Sequence, residues 1–267
     1  MTAPAAPAVL VTGAASGIGR ATALLWSSRG GAVAATDRDQ DGLHSLVGEV
    51  ARLALPGQLL SLPGDVSSES DVARIFAEAG AALGTVRNVV ASAGIEINAT
   101  AQDLSAQDWE RVLHINLSGT FFTCKTALTA MVDAQVSGSI VCLSSPAAFV
   151  GFAGGGNAAY AASKGGVSAL VRSLAIDYAR YGIRVNAVVP GATDTPMLLA
   201  GAPVEDREST RTDLLERATH EIPLGRLARP TEIAQAIAWL LSDEASYITG
   251  SHLVCDGGLL AKSANTF

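Results

Sequence analysis

Short apolar runs alternate along this chain with longer segments in which apolar residues recur every three or four positions. The runs predict strands at 8–12, 32–36, 58–62, 88–91, 139–143, 184–189 and 252–254. The longer segments predict helices, among them 17–29, 72–82, 109–130, 160–180 and 231–241. Because strands of continuous apolar character have no face to turn to water, they fit a parallel sheet covered by helices on both faces. We therefore predict a single-domain, doubly wound α/β fold of the Rossmann type over residues 1–267.

Length and composition agree with one domain and argue against some partners. With 267 residues and 49% hydrophobic content, the chain can bury a sizeable core. Its net charge of −7 would repel the phosphate backbone of a nucleic acid, so nucleic acid is not expected as a partner. The start has no basic segment ahead of its apolar run, which is broken at Gly13. This start predicts neither a signal peptide nor a membrane span, and we expect a cytoplasmic protein without membrane contact.

The cysteines give no sign of a covalent or metal framework. Cys124, Cys142 and Cys255 lie far apart in the sequence, without a CxxC pair or a Cys/His cluster. We therefore expect no disulfide framework and no metal site, and we predict that the three are buried, reduced packing residues.

The first predicted strand runs into a glycine-rich turn, Thr12-Gly13-Ala14-Ala15-Ser16-Gly17-Ile18-Gly19-Arg20, and then into a predicted helix. Glycines in such a turn let the backbone approach a pyrophosphate, while the free N–H groups at the helix start face the anion. The turn is therefore a candidate dinucleotide site. A tight turn with a packing glycine is the alternative interpretation.

Asp37 closes the second predicted strand, 18 positions after Gly19. An acidic side chain there can accept hydrogen bonds from the adenosine ribose hydroxyls of NAD, and it would repel the 2′-phosphate of NADP. The neighbouring Arg38 could instead bind that phosphate. We predict NAD as the cofactor, and a solvated turn residue is the alternative role for Asp37.

Tyr160 and Lys164 are four residues apart on one predicted helix, so their side chains share one face, about 6 Å apart along the axis. An ammonium beside a phenol favours the phenolate, which would lower the pKa of Tyr160 toward a value useful for proton exchange. Ser144 or Ser145, at the end of the fifth predicted strand, could hydrogen-bond the substrate oxygen or only cap the turn. Tyr160 is the candidate general acid/base, and an ordinary helix face is the alternative.

Several motifs follow one another over nearly the whole chain: Thr12-Gly13-x-x-x-Gly17-Ile18-Gly19, Asp65-Val66, Ala91-Ser92-Ala93-Gly94, Asn116, Ser144-Ser145, Tyr160-x-x-x-Lys164, Pro190-Gly191-x-x-x-Thr195 and Asp256-Gly257-Gly258. With these motifs in this order, the chain resembles the short-chain dehydrogenase/reductase family. The resemblance implies a seven-stranded parallel sheet, direct hydride transfer between NAD and a small-molecule secondary alcohol or ketone, and a homotetramer.

The resemblance also implies roles for individual side chains. Ser145 would orient the substrate oxygen, and Tyr160 would exchange its proton. Lys164 would lower the pKa of Tyr160 and bind the nicotinamide ribose, and Asn116 would hold a water that links Lys164 to solvent. Further cofactor contacts would be made by Ser16 and Ile18 at the pyrophosphate, Asp65 and Val66 at adenine, Ala93 and Gly94 near the ribose, and the Pro190-Gly191 turn with Thr193 and Thr195 at the carboxamide.

The chain departs from the family pattern in two places. Ala91-Ser92-Ala93-Gly94 stands where Asn-Asn-Ala-Gly is common, which removes two asparagine side chains from that loop. Ser145 precedes Tyr160 by 15 positions, two more than is common, with Gly154-Gly155-Gly156-Asn157 carrying the extra residues. A wider or more mobile pocket wall is the expected result.

Candidate substrate contacts near the expected pocket are of two kinds. The apolar candidates, which suggest a partly apolar ligand, are Phe149, Phe152, Met197, Leu198 and Leu199. The polar candidates, Glu96 and Asn157, could bind a hydroxyl or an amine, although all of these residues could be ordinary packing. We also predict a substrate lid at about 195–223, because the charged stretch 201–219, bounded by Pro203 and Pro223, interrupts an otherwise compact pattern.

Three other functions fit parts of the pattern. Sugar-nucleotide epimerases and dehydratases have a related Tyr/Lys pair, but on a longer chain and with two residues, not three, between the first two glycines. Ketoreductases that act on carrier-protein thioesters commonly prefer NADP, which Asp37 disfavours. A dinucleotide sensor or scaffold would keep the fold without chemistry, and the intact Asn116, Ser145, Tyr160 and Lys164 argue against it.

Overall fold

The computed structural model describes residues 7–200 and 203–262. Its strands are β1 (Val9–Thr12), β2 (Val33–Thr36), β3 (Leu59–Ser61), β4 (Asn88–Ala91), β5 (Gly138–Leu143), β6 (Ile183–Pro190) and β7 (His252–Cys255). Its α-helices are α1 (Gly17–Ser28), α2 (Gln40–Arg52), α3 (Glu69–Leu83), α4 (Ala106–Leu113), α5 (Gly119–Asp133), α6 (Ala158–Tyr178), α7 (Arg207–Glu221) and α8 (Pro230–Leu241). Residues 1–6, and 201–202 of the predicted lid, lie outside the described residues.

The strands form one parallel sheet in the order β3-β2-β1-β4-β5-β6-β7, with helices on both faces, so the predicted fold class is confirmed. Each predicted strand agrees with an observed one to within one residue at either end. Strands β1, β2 and β4 are buried at every position, as expected for strands with a helical layer on each side.

Side chains alternate between the two faces of the sheet, and each face has its own hydrophobic core. Within β1, Leu10 packs into the core formed with α3, α5 and α6, whereas Val9 and Val11 pack into the core formed with α1, α2 and α8. Strand ends from all over the chain are thereby held at one edge of the sheet, where α/β proteins bind ligands.

The predicted helix over 109–130 is confirmed as helical along its whole length, but it is not a regular α-helix throughout. The structure divides it into α4, a π-helical turn (His114–Ser118) and α5. Two helices, α2 and α7, were not among those predicted. In α2 the buried residues Leu43, Leu46 and Val50 recur at helical spacing, and Asp39 caps the first turn by accepting a hydrogen bond from the N–H of Gly42.

Helix α7 occupies most of the predicted lid and contacts the rest of the chain sparsely. Its side chains are mostly polar, and among its residues only Ala218 is buried. An ion pair links it to the loop after β6, with 2.6 Å between Arg211 Nη2 and Asp194 Oδ2. Among the residues that the structure describes, no helix is long and apolar enough to cross a bilayer.

Candidate active site

The glycine turn between β1 and α1 is packed so closely against neighbouring backbone that its glycines leave no room for side chains. Gly13 and Gly17 have φ values of +68° and +54°. A Cβ on Gly13 would lie 2.9 Å from Cα of Ala93, and one on Gly19 would overlap the carbonyl oxygen of Gly13. Ser16 precedes α1 without forming a side-chain cap, so its hydroxyl does not occupy the free N–H groups at the helix start. Close backbone and free N–H groups suit a pyrophosphate.

Asp37 lies directly against this turn. Its Oδ2 accepts a hydrogen bond from the N–H of Ala15 at 3.1 Å, and its Oδ1 accepts one from the N–H of Asp39 at 3.0 Å. Asp37 is half-buried, whereas Arg38 is exposed. The carboxylate is therefore oriented by backbone donors, a geometry compatible with both the ribose-binding role and the turn role.

The loop after β4 is fastened to the end of β1 by hydroxyl groups. Thr12 Oγ1 accepts hydrogen bonds from the N–H groups of Ser92 and Ala93, at 3.0 and 3.1 Å, and the Ser92 hydroxyl donates to the carbonyl of Thr12 at 2.7 Å. Ser92, one of the departures from the family pattern, thus makes a side-chain bond of its own at this loop. This role of Thr12 was not predicted from the sequence, because a single threonine in a strand carries no pattern of its own.

Two other candidate loops also reach this edge. After β3, Asp65 Oδ1 accepts from the N–H and the hydroxyl of Ser67, at 2.9 and 2.7 Å, and Val66 is buried. After β6, the methyl of Thr195 lies 3.2 Å from where a Cβ on Gly17 would stand, so this loop reaches the glycine turn.

The loop after β6 is itself tightly held. Pro190 is the last residue of β6, and Gly191 donates its N–H to the carbonyl of Cys255 at 3.0 Å. Thr193 is buried, and its hydroxyl donates to the carbonyl of Gly191 at 2.9 Å. A Cβ on Gly191 would lie 2.7 Å from Cα of Asp256, so close backbone packing fixes the loop.

Asn116 lies in the π-helical turn and is fully buried. Its Oδ1 accepts from the N–H of Ile95 at 2.8 Å, and its Nδ2 donates to the carbonyl of Ile95 at 2.9 Å and to Ser163 Oγ at 3.0 Å. Asn116 therefore ties the loop after β4 to α6. Ser163 was missed in the sequence, although its position three residues after Tyr160 puts it near the same helix face.

The two serines at the end of β5 have different surroundings. Ser144 Oγ lies 2.7 Å from Ser168 Oγ and donates to the carbonyl of Lys164 at 3.3 Å, so its hydroxyl is directed into α6. Ser145 accepts from the N–H of Ala147 at 3.2 Å and lies close enough to Tyr160 to influence its pKa. No hydrogen bond of ordinary geometry joins the described Ser145 and Tyr160 hydroxyls. Of the two serines, Ser145 is the one beside Tyr160.

Tyr160 and Lys164 lie on the first turns of α6, as predicted, but the expected electrostatics are reversed. The Lys164 ammonium donates to the carbonyl of Leu143 at 2.8 Å and stands 5.6 Å from the Tyr160 ring centroid. Burial, with the negative charge of Glu96, raises the pKa of Tyr160 to about 12, and the Ser145 hydroxyl offsets this only in part. Burial also lowers the pKa of Lys164 to about 8. The prediction that Lys164 lowers the pKa of Tyr160 is wrong for this structure, because desolvation of the phenolate dominates.

The candidate substrate residues Glu96, Phe152, Asn157 and Met197 lie in the segments after β4, β5 and β6. Phe152 and Met197 are 38% and 37% exposed, which leaves apolar surface open at the cleft. Glu96 is half-buried. Asn157 directly precedes α6, and its buried Nδ2 has no hydrogen-bond partner among the described residues. The glycines before it border open space at Gly154.

The cysteines include a contact that the sequence did not reveal. Cys124 and Cys142 are both buried and free, with 3.6 Å between their Sγ atoms, and Cys255 is half-buried and free. Burial is confirmed for Cys124 and Cys142, which are neighbours in the core, whereas the predicted burial of Cys255 is wrong, because this residue lies only partly covered on β7. In the part of the chain that the structure describes, no group of three His, Cys, Asp or Glu side chains could hold a metal ion.

The chain as a whole is similar to a large group of oxidoreductases. A family model described as enoyl-(acyl carrier protein) reductase matches residues 13–260. The cis-4-hydroxycyclohexanecarboxylate dehydrogenase of Sinomonas cyclohexanicum is 43% identical over 255 residues, 94% of this chain and 96% of that protein. The 2,5-dichloro-2,5-cyclohexadiene-1,4-diol dehydrogenase of Sphingobium indicum is 38% identical over 255 residues, 95% of this chain and 96% of that protein. The crystal structure of levodione reductase superposes with a TM-score of 0.90 at 33% identity, covering 96% of this chain and 98% of that one.

Proposed function

The chain belongs to the short-chain dehydrogenase/reductase family, and on that basis we propose that it transfers hydride between NAD(H) and a secondary alcohol or ketone. The observation that carries this proposal is the position of Tyr160 and Lys164, one helical turn apart, with Lys164 bonded to the end of β5 and close to Gly94 in the loop after β4. The nicotinamide, when bound, supplies the hydride acceptor or donor. The protein then has to bind both reactants, orient the carbinol and move one proton.

The cofactor would lie across the carboxyl edge of the sheet. The glycine turn, with Gly13, Gly17, Gly19, Ser16 and Ile18, would hold the pyrophosphate, since its glycines leave no side chain in the way. Asp65 and Val66 would border the adenine. Ala93 and Gly94 would border the nicotinamide ribose, and the loop from Pro190 through Gly191, Thr193 and Thr195 would border the carboxamide.

NAD rather than NADP is the proposed form of the cofactor. The half-buried carboxylate of Asp37 is oriented by the N–H groups of Ala15 and Asp39, which keeps a negative charge against the turn. That charge would accept the ribose hydroxyls of NAD and repel a 2′-phosphate. Arg38 is exposed and would be the competing group.

The four catalytic candidates would divide the proton chemistry. Ser145 would hold the substrate oxygen, and Tyr160 would take the carbinol proton during oxidation and return it during reduction. Lys164, already bound to the Leu143 carbonyl, would bind the nicotinamide ribose. Asn116 would hold the loop at Ile95 against α6 through its three side-chain hydrogen bonds.

A cyclic secondary alcohol or ketone is the proposed substrate class. Two of the relatives are dehydrogenases named for hydroxylated six-membered rings. Phe149, Phe152 and Met197 are exposed and would supply apolar surface of the kind that such a ring contacts.

A homotetramer is the proposed assembly. On α6, Ile176 is 79% exposed, and Val254 on the edge strand β7 is 44% exposed. Apolar side chains left open on a helix and on a sheet edge suit contacts between copies. Light scattering would test the assembly, since a mass that stays near 27.1 kDa at micromolar concentration contradicts it.

The direct test of the reaction is reduced-nicotinamide absorbance with NAD or NADP and a panel of cyclic, aromatic and polyol alcohols, together with the matching ketones. Turnover of cyclic alcohols with NAD is the expected result. Binding of NAD without turnover of any alcohol or ketone would instead favour the dinucleotide-sensor function.

A further inference from the structure

The segment 95–99 crosses the start of α6 and carries Glu96. At its front end, both main-chain groups of Ile95 are bonded to the Asn116 side chain, at 2.8 and 2.9 Å. The same amide donates to Ser163 of α6 at 3.0 Å. The backbone next to Glu96 is therefore fixed to the helix that carries the catalytic candidates.

The back end of the segment is fixed as well. Ala99 donates its N–H to the carbonyl of Gly156 at 2.8 Å and forms a parallel bridge with Asn157. Asn157 stands three residues before Tyr160, directly ahead of α6. With both ends fastened around the first turn of α6, Glu96 has little freedom to move away from the cleft.

The charge of Glu96 reaches the reacting groups. Its carboxylate raises the pKa of both Tyr160 and Lys164. Burial in turn raises the pKa of Glu96, and the Lys164 ammonium opposes that shift. The Lys164 ammonium also lies 3.6 Å from the place where a Cβ on Gly94 would stand, so Glu96 follows by two residues a backbone position that borders the catalytic candidates.

The Glu96 carboxylate lacks a partner of its own. It is half-buried, and none of the residues that the structure describes donates a hydrogen bond to it or forms an ion pair with it. Partial burial of a charge without hydrogen bonds is costly, so a donor supplied by a ligand would be bound favourably there. An anion would meet a like charge in a site of reduced dielectric.

We propose that Glu96 is a specificity-determining residue, selecting substrates that carry a second hydrogen-bond donor, a hydroxyl or an ammonium, besides the reacting carbinol. It discriminates in the same way against substrates that carry a carboxylate. This inference rests on the proposed function, because it concerns the substrate of that same cleft. The preferred substrate is then a cyclic diol or amino alcohol, bound by the Glu96 carboxylate and by the exposed apolar side chains of Phe152 and Met197.

The test compares four compound types with the NAD-saturated protein: cyclohexanol, the positional isomers of cyclohexanediol, 4-aminocyclohexanol and 4-hydroxycyclohexanecarboxylate. The wild type should favour the best diol over the carboxylate by about tenfold or more in kcat/KM, since one charge-assisted hydrogen bond is gained and one repulsion avoided. Glu96→Gln should lower this ratio about tenfold. In Glu96→Gln, kcat/KM should fall further for the amino alcohol than for the diol, because the ammonium loses a charge interaction as well as a hydrogen bond.

Two further variants separate recognition from structure. Glu96→Asp keeps the charge and should retain discrimination against the carboxylate. Glu110→Gln, which removes an exposed carboxylate on α4, should leave the diol-to-carboxylate ratio as in the wild type. Because the Glu96 charge raises the pKa of Tyr160, Glu96→Gln should also move the alkaline rise of alcohol oxidation to lower pH.

The outcomes of the two proposals are distinguishable. If cyclohexanol is oxidised but Glu96→Gln changes neither the diol-to-carboxylate ratio nor the pH profile, the role of Glu96 is overturned and the proposed function stands. If no compound is oxidised, the proposed function fails. In that case calorimetric Kd values of the NAD-saturated protein test the role of Glu96 separately. If the diol binds more tightly than the carboxylate and Glu96→Gln removes this difference, the role is supported. If the two bind equally to the wild type, the role is overturned.

Discussion

Glycines on the two sides of the cleft have opposite surroundings. On the cofactor side, a Cβ on Gly13 would stand 2.9 Å from the backbone of Ala93, and φ at Gly13 is +68°. On the substrate side, Gly151 and Gly154 have no atom within 4 Å of the place where a Cβ would be. One side is close-packed backbone fixed by hydrogen bonds, and the other is a loop with exposed apolar side chains such as Phe152.

From this difference we expect the packed side to determine the chemistry and the open side to determine the substrate. The packed backbone is the proposed binding surface for the cofactor, which is the same for every substrate, and it cannot accept side chains without movement. Open loops can change their residues at little cost in stability, so specificity can vary there. Tyr160 lies one helical turn from Lys164, which is bonded to the end of β5, and the charge of Glu96 raises the pKa of Tyr160.

The largest expected effect is on the chemistry between the two sides. Tyr160→Phe should fold and bind NAD but lose turnover by about 10²- to 10⁴-fold, because the general acid/base is gone. Steady-state kinetics and NAD titration would measure both. A loss of less than about tenfold would be too small for a general acid/base and would remove Tyr160 from that role.

The next effect tests whether the packed side selects the cofactor. The wild type should prefer NAD to NADP by about 30- to 1,000-fold in kcat/KM, from roughly 2 to 4 kcal/mol of lost hydrogen bonds and repulsion at Asp37. Asp37→Ala should erode that preference while the proton chemistry stays intact. Equal or better use of NADP by the wild type would mean that Arg38 dominates.

A matched pair of glycine substitutions tests the comparison itself. Gly13→Ala should destabilise the protein by about 1–3 kcal/mol and weaken NAD binding, since the new methyl would meet the Ala93 backbone. Gly154→Ala, with open space around it, should change the free energy of unfolding by less than about 0.5 kcal/mol. Urea unfolding of both variants is the measurement, and equal costs would erase the distinction between the two sides.

The pH dependence of stability tests how deeply Lys164 is buried in the packed side. Burial lowers its pKa from the usual 10.5 to about 8, so between these pH values the unfolded chain binds a proton that the folded protein does not. Stability should therefore rise with pH in this window, by up to about 1.4 kcal/mol per pH unit. Lys164→Met should lack this contribution. Parallel stability curves for the two proteins would show that the pKa is not depressed.

The smallest effect concerns the predicted lid on the open side. Helix α7 buries only Ala218, so its opening should require little free energy, and the Arg211–Asp194 ion pair is exposed to solvent. NAD with substrate should slow amide exchange in 203–219. Exchange that is the same with and without both ligands would contradict a lid.

Local patterns in the sequence were enough to predict the framework. All seven strands, the glycine turn and the shared helix face of Tyr160 and Lys164 were predicted from spacing alone. Such features depend on contacts between residues close in sequence, or on steric limits at single positions such as Gly13. Helix α2 was not predicted, although its buried residues Leu43, Leu46 and Val50 follow helical spacing. The sequence therefore does contain the pattern of this helix.

Other properties were decided only by the tertiary structure. The π-helical turn that carries Asn116, the contact of Cys124 with Cys142, and the choice between Ser144 and Ser145 all depend on elements distant in sequence. So does the pKa of Tyr160, which spacing to Lys164 predicted in the wrong direction. Local spacing determines which groups share an element, whereas desolvation and charge sum over everything packed around a group, and that packing exists only once the chain has folded.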